Sequence, residues 1–295
     1  MSSTWTFAGR SLALDRPRVM AILNVTPDSF FDGGVFTGPE AVVKAARRAQ
    51  EEGADLLDIG GESTRPGAQR VGADEQIRRV VPAIQAIRAA GIGLPISVDT
   101  TRAAVAQAAA AAGAEIINDV SGGEEDPDLL ALAGERGLGL VLMHRLSPPE
   151  RDSYSDRYAE APRYADVVDE VRASLARRVA AASAAGVPGS AVLVDPGLGF
   201  GKSVEQNVEL VRGTGRLLGL GAGVLSAASR KSFVGRLSLG RDSQPGERLA
   251  GSIAFSLMHL KAGARVFRVH DVGEQGRALR VGWLLMETGD PGMGG

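Results

Sequence analysis

Ala191-Val192-Leu193-Val194-Asp195-Pro196-Gly197-Leu198-Gly199-Phe200-Gly201-Lys202 is an apolar run that ends in a carboxylate, followed at once by a glycine-rich turn and a polar, helix-compatible segment. Four apolar residues before the Asp suit a strand buried on both faces, as in a parallel sheet. Asp195 is then the first residue out of the sheet, aimed at whatever binds there. Glycines at 197, 199 and 201 let the backbone turn tightly and let a flat ligand come close. One such unit reads as a helix cap and a turn. Here the unit recurs along the chain.

Working outward, strands are expected at Arg18–Val25, Asp55–Ile59, Ile96–Val98, Glu115–Asn118, Leu138–Met143, Ala191–Val194, Gly223–Ser226 and Arg265–Val269. Helical patterns alternate with them: Glu40–Glu51, Ala73–Ala90, Arg102–Ala112, Pro127–Glu135, Tyr164–Ala185, Val204–Arg212, a helical region reaching Ala262, and Gly273–Met286. Repeated strand–helix order implies parallel strands with right-handed crossovers. Eight units over roughly 250 residues match a closed (β/α)8 TIM barrel, in the α/β class. A doubly wound open sheet is the alternative, but no midpoint break marks a reversal of strand order. Residues 1–17 read as an N-terminal β-hairpin capping one end of the barrel, 18–288 as a single barrel domain, and 289–295 as a disordered tail.

Composition narrows the class. The 295 residues carry a formal net charge of −2, which gives no reason to expect nucleic acid or a membrane surface as partner. There is no Cys, so thiolate zinc sites, disulfides and a cysteine nucleophile are excluded, and three His make a multi-histidine metal site a poor expectation. No signal-peptide pattern or spanning apolar run is present, which points to a soluble cytoplasmic protein.

In such a barrel the carboxyl ends of the strands build the site. Those ends carry Asn24, Asp58, Asp99, Asn118, Met143-His144, Asp195, Ser229-Arg230-Lys231, and Arg268 with His270. Asp99 and Asp195 suit a ligand with several N–H donors, because a carboxylate accepts two parallel hydrogen bonds. Lys231 offers donors to a carbonyl or ring nitrogen, Asn118 offers one group of each kind, Phe200 and Met143 supply apolar contact, and Arg268 can stack on a flat ring. Cations near the last two strands are where barrels hold phosphate. The ring therefore suits a flat nitrogen heterocycle carrying phosphate. Asp58 reads as a buried organiser of the second loop, His144 and His259 as structural, and Arg47-Arg48, Arg78-Arg79 and Arg177-Arg178 as solvated helix faces. Two long connections, 24–37 and 60–72, are candidate functional loops, and 144–163 is a third.

The motifs resemble the dihydropteroate synthase family of pterin-binding barrels over nearly the whole chain. They are Asn24-Val25-Thr26-Pro27-Asp28-Ser29-Phe30, Asp58 through Gly67 with its Glu62-Ser63-Thr64-Arg65-Pro66-Gly67 core, Ser97-Val98-Asp99-Thr100, Ile117-Asn118-Asp119-Val120, Asp195 through Lys202, Ser229-Arg230-Lys231-Ser232 and Arg268-Val269-His270-Asp271-Val272. The resemblance implies condensation of 7,8-dihydropterin-6-ylmethyl diphosphate with p-aminobenzoate by an SN1-like course, in a homodimer. It implies pterin contacts from Asp99, Asn118, Met143, Asp195, Phe200, Lys231 and Arg268. It assigns Asn24, Arg65, Arg268 and His270 to the diphosphate, with Asn24 toward its Mg²⁺, and puts Asn24, Arg65, Lys231, Arg268 and His270 among the catalytic residues. Phe30, Thr64, Pro66 and Ser229 would form the p-aminobenzoate pocket, which sulfonamides also occupy, and both long loops would close over the site. An apolar patch at Phe255, Leu257, Met258 and Leu260 is compatible with dimerisation. Two departures stand out: Ala227 where a Gly commonly precedes Ser-Arg-Lys, and Arg145-Leu146-Ser147-Pro148-Pro149 in place of the usual Gly-x-Pro after Met143-His144. Methyltetrahydrofolate-dependent methyltransferases share the barrel but lack the Ser-Thr-Arg-Pro-Gly loop and the Arg-x-His pair. A non-catalytic pterin-binding paralogue is the other alternative.

Overall fold

The computed structural model describes residues 4–25 and 38–287. The Thr26–Phe30 motif, most of the first long loop and the tail expected at 289–295 lie outside them. Eight parallel strands close into a barrel: β3 (Arg18–Asn24), β4 (Leu56–Gly60), β5 (Ile96–Asp99), β6 (Ile116–Asp119), β7 (Gly139–Met143), β8 (Val192–Asp195), β9 (Gly223–Ser226) and β10 (Val266–Val269). They pair in chain order, and β10 returns to β3. Helices α1 (Pro39–Glu51), α2 (Ala73–Ala89), α3 (Ala103–Ala112), α4 (Asp128–Arg136), α5 (Val167–Ala184), α6 (Val204–Arg212), α7 (Ser232–Leu239), α8 (Leu249–Lys261) and α9 (Val272–Glu287) surround it.

Ahead of the barrel, β1 (Thr4–Phe7) and β2 (Arg10–Ala13) form an antiparallel hairpin. Trp5 and Phe7 are fully buried against Met20, Leu56, Ile116, Val141 and Leu193, the inward side chains at the lower end of the strands. The Trp5 indole N–H, which needs a partner once buried, donates to Ala191 O at 2.9 Å. Gly139 admits this plug, because a Cβ there would lie 2.9 Å from the Phe7 Cβ.

Elements differ from expectation where a local device acts. The helical region after β9 is two helices, because Gly240 takes φ +69° and ends α7 in a left-handed cap. Helix α5 begins three residues late, where Asp166 accepts from the Val168 and Asp169 N–H groups at 2.9 Å. β8 runs one residue further than its apolar pattern: Asp195 is the last strand residue, in register with Met143, rather than the first beyond the sheet. The patch expected at Phe255, Leu257, Met258 and Leu260 divides. Leu260 is buried, Phe255 packs edge-on against Phe233 and Leu257 is half-buried, while Met258 is exposed, as are Val281 and Leu285 of α9.

Candidate functional site

Side chains alternate across a strand, so positions two apart share a face. The inward layer of Leu56, Ile116, Val141, Leu193, Leu225 and Val266 packs on the hairpin plug. Two residues on, the same-facing positions are Asp58, Asn118, Met143, Asp195, Ala227 and Arg268, with Asp99 in register beside Asn118. The barrel interior thus changes from apolar to charged within one step, at its carboxyl mouth. Ala227, in this second layer, joins the apolar cluster of the layer below it.

Arg268 ties the far strands together. Its Nε donates to Asp58 Oδ2 at 2.6 Å and its Nη2 to Asp99 Oδ2 at 2.7 Å, while Asn118 Nδ2 donates to the same Asp58 oxygen at 3.3 Å. Burial opposes the guanidinium's charge, but the two carboxylates more than offset it and raise its pKa. Asp99 is pushed up to about 7 by burial, with Arg268 opposing. Asp58 therefore orients Arg268 and Asn118 instead of organising the second loop; the correction follows from its complete burial inside the barrel, across from β10.

On the opposite wall, Asp195 is 3% exposed and receives the Gly197 N–H at 2.7 Å. Burial raises its pKa, with Lys231 opposing. The Lys231 ammonium donates to Leu198 O and lies 4.5 Å from the Phe200 ring centroid. Burial brings that lysine down to about 8, against the pull of Asp195. Val120, Met143 and Phe200 form a small apolar cluster between the two charged walls. At the mouth, Ser229 Oγ lies 3.1 Å from His270 Nδ1 and accepts the His270 backbone N–H at 3.2 Å. Burial, then Arg268 and Arg230, depress His270 to about 3, so its ring is neutral at pH 7. Arg230 holds φ +60° while its guanidinium grips Asp271, which sets Ser229 and Lys231 on either side of it.

Asp99, Asn118, Met143, Asp195, Phe200, Lys231 and Arg268 are brought to one mouth, with Ser229 and His270 on its rim. Asn24 ends β3 in register with Gly60, and its Oδ1 lies 3.4 Å from where a Gly60 Cβ would be. In the loop 60–72, Thr64 and Pro66 are half-buried and Arg65 is exposed. Phe30 lies outside the described residues.

Local spacing did not reveal two buried cations. Arg178, taken as solvated surface, is 6% exposed and donates from Nη1 to Ser121 O at 2.7 Å and Met143 O at 2.5 Å. Arg177 and Arg178 are adjacent on a helix, so one faces out and the other in. Lys202 is fully buried under the glycine turn, bonded to Phe200 O at 2.7 Å, Gly197 O at 3.0 Å and His144 Nδ1 at 3.0 Å. Asking where the turn's carbonyls find donors would have located it. His144 is indeed structural, depressed to about 2 by burial and then by Lys202. His259 is structural too, its Nδ1 2.8 Å from Ser226 Oγ.

Fold and site together define a (β/α)8 barrel with a buried, charged mouth at the carboxyl ends of its strands. The pterin binding enzyme family model matches residues 20–270. Dihydropteroate synthase from Mycobacterium leprae is 43% identical over 92% of this chain and 95% of its own length. A probable bifunctional folylpolyglutamate synthase/dihydropteroate synthase from Haloferax volcanii is 44% identical over 90% of this chain, which spans 30% of that longer protein. A Xanthomonas albilineans dihydropteroate synthase structure with 4-aminobenzoic acid superposes with a TM-score of 0.85, 46% identity and coverage of 97% and 99% of the two chains. Another, in complex with 7,8-dihydropteroate, gives 0.81 and 43%, over 96% and 98%. The chain belongs to the pterin-binding enzymes and, within them, to the dihydropteroate synthase family.

Proposed function

We propose that this chain condenses 7,8-dihydropterin-6-ylmethyl diphosphate with p-aminobenzoate, releasing diphosphate and 7,8-dihydropteroate. The observation that carries the reading is the opposed pair of buried walls, Asp99 with Arg268 and Asp195 with Lys231, around apolar Met143 and Phe200. Related structures hold 4-aminobenzoic acid and 7,8-dihydropteroate. In this course the methylene carbon–oxygen bond breaks first and its electron pair leaves with diphosphate. The p-aminobenzoate nitrogen then bonds to the cationic methylene and gives up a proton.

Each residue has a share. Asp99, Asn118 and Asp195 accept from or donate to the pterin ring edge. Lys231 and Arg268 balance those carboxylates and, with Arg65 and neutral His270, face the charge that develops on diphosphate; fixed charges in a buried site stabilise such a transition state strongly. Thr64, Pro66 and Ser229 border the p-aminobenzoate half of the mouth. Mg²⁺ fits in a limited sense. Among the described residues no group of three His, Asp or Glu could hold a metal, but Asn24 offers one uncharged oxygen at the mouth. That suits Mg²⁺, which keeps waters and binds mainly through substrate phosphates. When bound, it would neutralise diphosphate charge.

On this reading the protein works in the cytoplasm as a homodimer. The exposed apolar side chains of Met258, Val281 and Leu285 on α8 and α9 support the dimer. The test is a coupling assay with the two substrates, with and without Mg²⁺. Magnesium-dependent formation of dihydropteroate is the expected result, and absence of product under both conditions would overturn the reading.

A further inference from the structure

The loop 60–72 carries Thr64, Arg65 and Pro66, and two sets of contacts hold it, joined where Arg70 Nε lies 3.4 Å from Glu62 Oε1. At the base, Glu62 Oε1 accepts the Val71 N–H at 2.6 Å and Glu62 Oε2 accepts from Gln76 Nε2 at 3.0 Å. Gln76 Oε1 in turn receives the Thr100 hydroxyl at 3.0 Å. Together these close the ends of the loop onto each other and onto β5.

A second set of contacts holds Gly67 and Arg70, and it comes from two other barrel units. Arg70 donates from Nη1 to Glu125 Oε1 at 3.0 Å and from Nη2 to Glu125 Oε2 at 2.5 Å, a planar two-point grip. Glu125, after β6, also accepts the Thr101 hydroxyl at 2.5 Å and the guanidinium of Arg145, after β7. Arg145 is 8% exposed, so its charge is answered inside the protein. Past Arg145, the carbonyl of buried Pro149 accepts the Gly67 N–H at 2.9 Å, next to Pro66. The unusual segment Arg145–Pro149 thus has a structural use: it supplies both a cation for Glu125 and a carbonyl for the loop tip.

We propose that Arg70, Glu125 and Arg145 form a latch that positions Thr64, Arg65 and Pro66 for p-aminobenzoate. These are positioning residues; none touches the reacting atoms. Because Arg70 and Glu125 bond to each other, to Thr101 and to Arg145, and among the described residues to neither Asp195 nor Lys231, the latch governs the second substrate and leaves the pterin half of the mouth alone. The inference rests on the dihydropteroate synthase reading for its substrate, but the latch can be tested without it.

Arg70→Ala is the main variant, since Arg70 is half-buried and its loss leaves Glu125 paired with Arg145. Hydrogen exchange of the amides at 63–70 is measured first, in the unliganded full chain. They should exchange about tenfold faster in Arg70→Ala, the size of one lost charge-assisted pair, with Arg70→Lys in between. Unchanged exchange would overturn the latch whatever the protein's activity. Steady-state kinetics follow. The KM for p-aminobenzoate should rise about tenfold in Arg70→Ala and in Glu125→Gln, and much less than the product of the two in the double variant. The KM for the pterin diphosphate should stay within about twofold. An equal rise in both KM values would assign Arg70 to general stability and overturn the positioning role. A wild-type protein that makes no dihydropteroate would refute the proposed reaction, while the exchange measurement would still decide the latch.

Discussion

Replacing Arg268 by Met should destabilise the protein far more than the loss of one surface cation. Its guanidinium meets Asp58 at 2.6 Å and Asp99 at 2.7 Å, and both carboxyl groups are at least nine-tenths buried. With charge centres about 4 Å apart and an effective dielectric of about 20, each contact is worth about 4 kcal/mol before desolvation is counted. Measured losses from removing one partner of a buried pair run about 3–5 kcal/mol, because the other charge is left unpaired. For a chain of this size that lowers the melting temperature by roughly 6–20 °C. The pH dependence has a definite sign. Asp99 sits at about 7 in the folded state against an ordinary 3.8, so the stability it lends through its bound proton is lost as pH rises between those values. Without the guanidinium its folded-state pKa climbs further, which extends the loss above pH 7 in the variant only. Urea unfolding of both proteins should therefore show a wider stability gap at pH 9 than at pH 6. Adding Asp99→Asn should recover part of the stability and none of the activity. A variant within about 1 kcal/mol of wild type at pH 8, below the buried-pair range, or a gap that narrows toward pH 9, would refute the reasoning.

Three further outcomes follow from the packing. Gly197→Ala should cost roughly 4 kcal/mol or more, because Gly197 has φ +67° and a Cβ would lie 1.8 Å from His144 O. Gly186→Ala, at φ +87° in open space, should cost only about 1–2 kcal/mol in the same denaturation assay. Lys202→Met strands the carbonyls of Gly197 and Phe200 and the ring nitrogen of His144. A loss of about 1–3 kcal/mol for each unpaired group should appear as a lower melting temperature and weaker pterin binding by calorimetry. Burial depresses Lys202 to about 7, so wild type binds fewer protons folded than unfolded from there to about 10.5 and gains stability across that window; the variant should lack that slope. Trp5→Ala should cost about 3–5 kcal/mol by denaturation, as a large buried side chain whose removal opens the barrel floor.

What could be read ahead of the structure divides along the range of the interaction. Alternation of apolar runs and helical patterns is local, so the eight strand–helix units and the carboxyl-end location of Asp99, Asn118, Asp195, Lys231 and Arg268 were legible from residue order. Asp195 was displaced by one residue because a carboxylate at the end of an apolar run looks like an exit from the sheet, whereas the buried β7–β8 pairing continues through it. Charged contacts were a different matter. Asp58 and Arg268 are 210 positions apart and meet only because β10 closes against β3. Arg178 looked like surface because helical periodicity ranks faces, and a run of two arginines straddles the boundary between them. Lys202 belongs to the motif that revealed the fold, yet its side chain turns under the loop to meet carbonyls the glycines expose. The burial of Asp58 and Arg178 depended on partners from another unit of the barrel, and that of Lys202 on its own turn together with His144 of the preceding unit. Arg145 shows the same dependence: its partner Glu125 and the loop cation Arg70 lie on two other connections, and the three meet because β4, β6 and β7 stand close together in the sheet.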